Sequence, residues 1–187
     1  MSKADETRQS ILQAAHDLID EQGVSNLTLE AVAARAGVSK GGLLYHYPSK
    51  EDLVIAMVQT MVDQFRASME ALLPGESGAG AWLRAYIRAS FALNQTPTQI
   101  APGVLAAMAN NPRLLEPLRE EDRGWQAQTL SAGIDPVLAT ILRLATDGLW
   151  FADLLGLTSI DPALRAQVLQ RMLHMAQPNT DDKNGDL

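Results

Sequence analysis

The chain has 187 residues, of which 47% are hydrophobic and 20% are charged, a composition typical of a globular protein that excludes a disordered one. It has no cysteine, which excludes both a disulfide framework and a thiolate metal site. No segment approaches the roughly 18 consecutive apolar residues of a membrane span, and the polar N-terminus lacks a signal-peptide core. We therefore expect a soluble, cytoplasmic protein.

Helical patterns begin near the N-terminus. Residues 5–22 predict a first helix that ends at Gly23 and has one apolar stripe. Residues 27–50 then predict two short helices. Thr28 caps the first, Gly37 supplies the positive φ of a tight turn, and Ser39 caps the second. This is the layout of a helix-turn-helix, whose second helix lies in the DNA major groove.

The second helix has an inner and an outer face. Leu43 and Leu44 point back toward the core. The positions left to meet DNA are Lys40, Gly41, Gly42, Tyr45 and His46.

Two sequence blocks carry a family resemblance: Thr7-Arg8-x-x-Ile11-Leu12-x-Ala14-Ala15, and Gly37-Val38-Ser39-Lys40-Gly41-x-Leu43-x-Tyr45-His46-Tyr47-x-Ser49-Lys50-Glu51-x-Leu53. Over about residues 5–60 the chain resembles the N-terminal domain of TetR-family transcriptional repressors. The resemblance implies a DNA-reading head followed by a helical body that binds a small molecule and forms a homodimer.

The outward positions of the second helix and the positions implied by the resemblance together give a set of expected DNA contacts. These are Thr28, Ser39, Lys40, Gly41, Gly42, Tyr45, His46 and Lys50. Hydroxyl and imidazole donors suit phosphate oxygens, and Lys40 is the expected base reader because an ammonium group donates to guanine acceptors. Hinge packing is the alternative for Tyr45, a solvated charge for Lys50, and capping alone for Thr28.

Charge supports this interpretation through its distribution. The chain carries a net charge of −7, but residues 24–50 hold three basic side chains against the single acid Glu30, a net charge of +2. A small positive patch on an acidic body can bind phosphates, while the body disfavours non-specific binding.

Two residues depart from the family pattern. Gly42 stands where many relatives carry a polar side chain, and Leu44 where an aromatic one is common. With fewer base-reading side chains, specificity would depend more on DNA shape. Each of the adjacent glycines also weakens a short helix by roughly 0.5–1 kcal/mol relative to alanine, so we expect the recognition helix to order fully only on DNA.

The rest of the chain predicts an all-α protein, in which a fourth helix joins the three-helix head to a larger helical bundle. Helices are expected at about residues 49–73, 80–94, 97–109, 112–131, 135–156 and 161–176. Capping signals at Ser49, Asp135 and Asp161 mark three of the starts. We divide the chain into a DNA-binding domain (1–48), a ligand-binding and dimerisation domain (49–177) and a disordered tail (178–187).

Apolar stripes on the last two helices predict a four-helix dimer interface, with ordinary core packing as the alternative. The predicted interface residues are Leu138, Ile141, Leu142, Ala145, Leu149, Leu164, Val168 and Met172. A two-fold dimer would present two recognition helices to a palindromic operator.

A ligand pocket is expected among large apolar side chains of the body, each of which could instead belong to the core. The predicted lining is Trp82, Tyr86, Arg88, Phe91, Met108, Trp125, Asp147, Trp150 and Phe151. Arg84 and Arg88 lie one turn apart and face either solvent or an anionic ligand group.

Catalytic and metal-binding motifs are missing from the sequence. The three histidines have no metal-ligand spacing, and no phosphate-binding or nucleophile motif occurs. We expect no enzyme, no metal and no cofactor, but a repressor that a small-molecule effector releases from a palindromic operator. The alternatives are a TetR-like activator and a helical small-molecule-binding or interaction protein with a degenerate DNA-reading head.

Overall fold

The computed structural model describes residues 2–23, 26–93, 111–157 and 160–178, which contain eight α-helices and no strand. Their bounds are α1 Lys3–Gln22, α2 Leu29–Ala36, α3 Lys40–His46, α4 Lys50–Leu72, α5 Ala81–Leu93, α6 Glu116–Leu130, α7 Pro136–Leu154 and α8 Pro162–Met175. Short 3₁₀ turns occupy Leu73–Gly75 and Pro112–Leu115. The predicted all-α class is confirmed. The helix expected at 97–109 and nearly all of the expected tail lie outside the described residues.

Local side-chain caps explain where the helices begin. The Ser49 hydroxyl accepts from the Asp52 amide at 3.1 Å and donates to its carboxylate, as the sequence predicted. Asp135 accepts from the amide of Leu138 at 2.9 Å, and Asp161 from that of Leu164 at 3.0 Å. Each cap satisfies amides that have no partner within the helix. The three predicted starts therefore agree with the structure to within one residue.

Contacts within the described residues form two compact units, one within Met1–Asp63 and Thr98–Glu120 and the other within Gln64–Pro97 and Glu121–Leu187. In the first unit, α1, α2, α3 and the first turns of α4 share one apolar core. In the second, α5 packs against α7 and α8 around Leu83, Ile87 and Leu142. The expected domain boundary at residues 48/49 stays a prediction.

Arg84 connects two segments of the second unit, whereas sequence reasoning expected it to face solvent or an anionic ligand group. Its guanidinium is buried and donates to Glu76 Oε2 at 2.6 Å and to the carbonyl oxygens of Ser77, Ala79 and Ala176 at 2.8–2.9 Å. The side chain faces neither solvent nor a ligand, because four protein acceptors use its donors. It ties the loop before α5 to the end of α8.

Gly80 lies at the same junction. Its φ is +78°, and a Cβ placed there would lie 1.8 Å from the Ala176 carbonyl oxygen. Only glycine allows the loop to approach the end of α8 this closely.

Candidate functional site

The α2–turn–α3 segment has the geometry that the sequence predicted. The Thr28 hydroxyl accepts from the Ala31 amide at 3.2 Å, so it caps α2. Gly37 adopts the left-handed conformation, with φ 69° and ψ 26°. The Ser39 hydroxyl accepts from the Gly42 amide at 3.0 Å and caps α3. These three features fix the orientation of α3 against α2.

One face of α3 is anchored in the core and the opposite face is open. Leu43 is fully buried, and Tyr47, which follows the helix, is 2% exposed. On the outer face Tyr45 is 84% exposed, and its ring contacts His46 edge to face. A helix held from behind in this way presents its outer side chains on a rigid support.

The structure places all eight expected DNA contacts at least partly in solvent. The exposed ones are Thr28, Ser39, Lys40, Gly41 and Tyr45, and the half-buried ones are Gly42, His46 and Lys50. A Cβ at Gly41 would meet no atom within 4 Å, whereas one at Gly42 would lie 3.2 Å from the Ser39 hydroxyl that caps the helix. Glycine at position 42 therefore also avoids a close contact with the capping hydroxyl of Ser39.

Sequence reasoning missed the partner of Lys40. The Lys40 ammonium lies 2.5 Å from Glu30 Oε1, and both side chains are more than half exposed. Glu30 accepts this hydrogen bond, which is the largest cause of its lowered pKa. The sequence marked Glu30 as the only acid of residues 24–50, but the ten-residue separation gave no sign of a contact.

The second unit contains a cluster of four aromatic rings. Tyr86 stacks on Trp82 at a centroid distance of 5.2 Å and meets Phe65 and Trp125 edge to face at 5.2 and 5.6 Å. Phe65 and Trp125 meet edge to face at 5.1 Å. Trp82 and Trp125 are only half-buried, so part of the ring surface of the cluster is exposed to solvent.

A polar network adjoins these rings. The Tyr86 hydroxyl donates to Asp147 Oδ1 at 2.6 Å. Arg143 donates to Gln126 Oε1 at 2.6 Å, forms an ion pair with Asp122, and places its Nε 3.6 Å from Asp147 Oδ2. With two carboxylates and one guanidinium ionised, the network carries a net charge of −1.

Burial shapes the proton affinities of this network. Desolvation is the largest cause that raises the pKa of Asp147, although the Tyr86 hydroxyl and the Arg143 guanidinium act in the opposite direction. Desolvation also raises the pKa of Tyr86, as does the charge of Asp147. The phenol therefore stays a neutral donor.

The structure brings together four of the nine expected pocket residues: Trp82, Tyr86, Trp125 and Asp147. Arg88 instead donates to Glu76 Oε1 at 2.9 Å on the exposed side of α5. Phe91 is buried in the other apolar cluster, beneath the Arg165 guanidinium. Trp150 contacts Phe151, which is 42% exposed, and Met108 lies outside the described residues.

Four residues of the cluster and its network were missed by the sequence: Phe65, Asp122, Gln126 and Arg143. Arg143 offered a signal, because it is a single cation within an otherwise apolar stretch of α7. Such a charge is buried only when it has partners.

The apolar residues of α7 divide between two faces, and the predicted dimer stripe mixes them. Leu142 and Met172 are buried in the chain's own core, where no partner can reach them, and Leu138, Leu149 and Val168 pack against that core. Ile141, Ala145 and Leu164 remain exposed. The exposed row on α7 and its end consists of Val137, Ile141, Leu144, Gly148, Phe151 and Leu155.

No helix within the described residues is both long enough and apolar enough to cross a membrane.

Comparison with known proteins agrees with this geometry. A family model described as "Tetracyclin repressor-like, C-terminal domain" matches residues 80–177, and one described as "Bacterial regulatory proteins, tetR family" matches residues 11–57. The HTH-type transcriptional regulator RutR of Escherichia coli (strain K12) is 30% identical over 141 residues, which are 69% of this chain and 66% of RutR. The match thus spans just under two thirds of that relative.

Solved structures show the same fold. A transcriptional regulator of Streptomyces coelicolor A3(2), SCO7518, superposes with a TM-score of 0.71 at 22% identity, over 92% of this chain and 99% of its own. The multidrug binding protein EbrR, complexed with ethidium, has a TM-score of 0.65 at 26% identity, over 89% of this chain and 98% of its own. Because the C-terminal family model alone spans more than half of the sequence, the chain belongs to the TetR family of bacterial transcriptional regulators.

Proposed function

We propose that this protein is a homodimeric repressor that binds a palindromic DNA operator through α3 and is released from it by a small-molecule effector. The observation that carries the proposal is the open outer face of α3, whose inner residue Leu43 is fully buried. The alternative in which the head no longer reads DNA is disfavoured, because the caps and the turn that orient α3 are all intact. DNA as the partner also implies a cytoplasmic location.

Different groups of the head have different roles at the DNA. Lys40 reads a guanine, since its ammonium donates to the acceptors at the guanine edge. The hydroxyls of Thr28, Ser39 and Tyr45, the imidazole of His46 and the ammonium of Lys50 bind phosphates and fix the register of α3. Gly41 and Gly42 allow the backbone of α3 to approach the groove closely.

The exposed row of α7 forms the centre of the dimer interface. Its members follow one another at spacings of four and three residues, the repeat by which two helices pack along an apolar seam. Ile141 and Leu144 are 55% and 63% exposed, and a row of this kind is normally covered by a partner. Gly148, whose Cβ would meet no atom, lets the two α7 helices approach. Ala145 and Leu164 extend this surface.

The aromatic cluster and its polar network form the effector site. Flat aromatic compounds can replace one of the ring contacts of Tyr86, and the net charge of −1 favours a cation among them. The complex of the similar protein EbrR with ethidium supports this class of compound. Ethidium fluorescence tests this proposal, together with quenching of the fluorescence of Trp82 and Trp125. Two of the three tryptophans of the sequence belong to the aromatic cluster, and the third is Trp150.

Release from DNA would pass through α4. This helix contributes Leu53 and Met57 to the core of the head, and Phe65 and Met69 to the aromatic cluster. An effector that displaces Phe65 would favour a different position of α4 and thereby of α3. The coupling cannot exceed the effector's differential affinity for the two states, typically ~1–3 kcal/mol.

Selection from a randomised duplex library with the purified wild-type protein tests DNA binding. We expect enrichment of one palindrome, whose affinity falls steeply between about 50 and 200 mM salt and is lowered by the effector. Failure to enrich any duplex would support the alternative of a small-molecule-binding protein with a degenerate head. An activator would enrich a palindrome equally, and a reporter gene placed behind it distinguishes activation from repression.

A further inference from the structure

Glu30 and Lys40 form an ion pair on the DNA-reading side of the head. Glu30 lies in the first turn of α2 and Lys40 is the first residue of α3. Thr28 caps α2, Ser39 caps α3, and the two helices pack against each other, so the backbones that carry the pair are held in place. The two charged groups therefore meet at 2.5 Å before any DNA is present.

This contact competes with DNA for the same donor. Under the proposed function, the Lys40 ammonium is the base-reading group of α3. An ammonium bound to a carboxylate offers less charge to phosphates, and it must leave the carboxylate to reach a guanine. Glu30 is a fully ionised carboxylate at neutral pH, so the competitor carries its charge there.

The strength of the pair decides which DNA can break it. An exposed ion pair favours its closed form by about fivefold at most. A correct guanine contact is favoured by roughly five- to 150-fold over a wrong base, whereas a single phosphate offers no such advantage. The pair would therefore open on the operator and stay largely closed on other sequences.

We infer that Glu30 limits the affinity of the head for its operator: it competes with DNA for Lys40, and the free energy needed to open the pair offsets part of the guanine contact. The inference rests on the proposed function, since it requires α3 to read DNA. It gives a role to a residue that need not contact DNA itself.

A double-mutant cycle tests the inference. The full-length wild type, Glu30→Gln, Lys40→Ala and the double variant are titrated with a mixed-sequence duplex and with the palindrome that the wild type selects, across a salt series. For Glu30→Gln we expect up to about fivefold tighter binding to the palindrome, where the wild type must open the pair, and an equal or smaller gain on the mixed duplex. Its preference for the palindrome should therefore not fall.

Dependence on Lys40 separates competition from a general gain of positive charge. In the Lys40→Ala background, Glu30→Gln should change the affinity for the palindrome much less. Glu21→Gln is the matched control: it removes an equal charge from a different ion pair of the head, with Arg35, so its effect should not depend on Lys40.

Two results overturn the inference, and they are distinguishable. If the wild type selects a palindrome but Glu30→Gln acts equally with and without Lys40, Glu30 does not compete for Lys40. If the wild type selects no duplex and shows no salt dependence, the proposed function fails and takes the inference with it.

Discussion

The Tyr86 hydroxyl on α5 donates to Asp147 Oδ1 on α7 at 2.6 Å, which joins two residues 61 positions apart. The same tyrosine ring stacks on Trp82 and meets Phe65 and Trp125. Tyr86 thus connects the aromatic cluster to the charged network, and an effector bound at either would affect both.

Asp147 should make stability depend on pH. Its pKa is raised in the folded protein, mainly by burial, so above the ordinary value of 3.8 the folded state binds more protons than the unfolded state. The free energy of unfolding should therefore fall as pH rises from that value through the raised pKa. Asp147→Asn cannot titrate and should lack this decrease.

Urea unfolding from about pH 4 to 8 checks this dependence. The stability of Asp147→Asn relative to wild type should increase with pH, whereas a constant difference would contradict the assignment. Tyr86→Phe removes a hydrogen bond that lowers the Asp147 pKa, so it should extend the decrease to higher pH.

Arg84→Lys should destabilise the second unit by about 2 kcal/mol or more. Lysine cannot reproduce the planar fork that reaches Glu76 and three carbonyl oxygens, which would leave buried acceptors unpaired. Arg88→Lys is the matched control, because Arg88 is exposed and binds the same Glu76, and it should cost less than about 1 kcal/mol. Equal effects of the two variants in urea unfolding would contradict the role assigned to Arg84.

Leu144→Glu should dissociate the dimer, because it places a charge in the middle of the apolar row of α7. Leu130→Glu introduces the same change at an exposed leucine of α6, where it should leave the dimer intact. Light scattering after size-exclusion chromatography measures the mass directly. A dimeric Leu144→Glu variant would place the interface elsewhere.

Gly41→Ala should separate helix stability from DNA binding. The added methyl group meets no atom within 4 Å and should stabilise α3 by about 0.5–1 kcal/mol. If the backbone of α3 approaches the groove closely, the same methyl group weakens operator binding. Amide exchange of residues 39–46 and operator titration measure the two effects, and tighter DNA binding by this variant would show that Gly41 makes no close approach. The exchange data also test whether α3 orders fully only on DNA.

Local sequence signals were sufficient to predict the helices, but they did not predict contacts between residues that are distant in sequence. Thr28, Ser39 and Asp161 cap their helices through amides two or three residues away. Both partners of each cap therefore lie within one short segment of the sequence. The face of α7 was misjudged because the helix is apolar on two sides, one for its own core and one exposed. Periodicity cannot tell these sides apart.

The same contrast between local pattern and tertiary packing applies to the candidate sites. The outer face of α3 followed from its local pattern, but the Lys40–Glu30 pair depends on how α2 and α3 pack. In the body, sequence reasoning predicted Trp82, Tyr86, Trp125 and Asp147, which the structure brings together, but it had no means of separating them from Phe91, which lies in a different cluster. Side chains from different helices are brought together by tertiary packing, which a single sequence does not specify residue by residue.

The central claim, that α3 reads duplex DNA, is tested most directly by comparing Lys40→Ala with Lys50→Ala on the selected palindrome and its single-base variants. Lys40→Ala should cost about 1–3 kcal/mol on the palindrome and abolish discrimination at one base pair of each half-site. Lys50→Ala should weaken all sequences alike and flatten the salt slope by about one. If both variants bind every duplex as the wild type does, α3 is not the reading element.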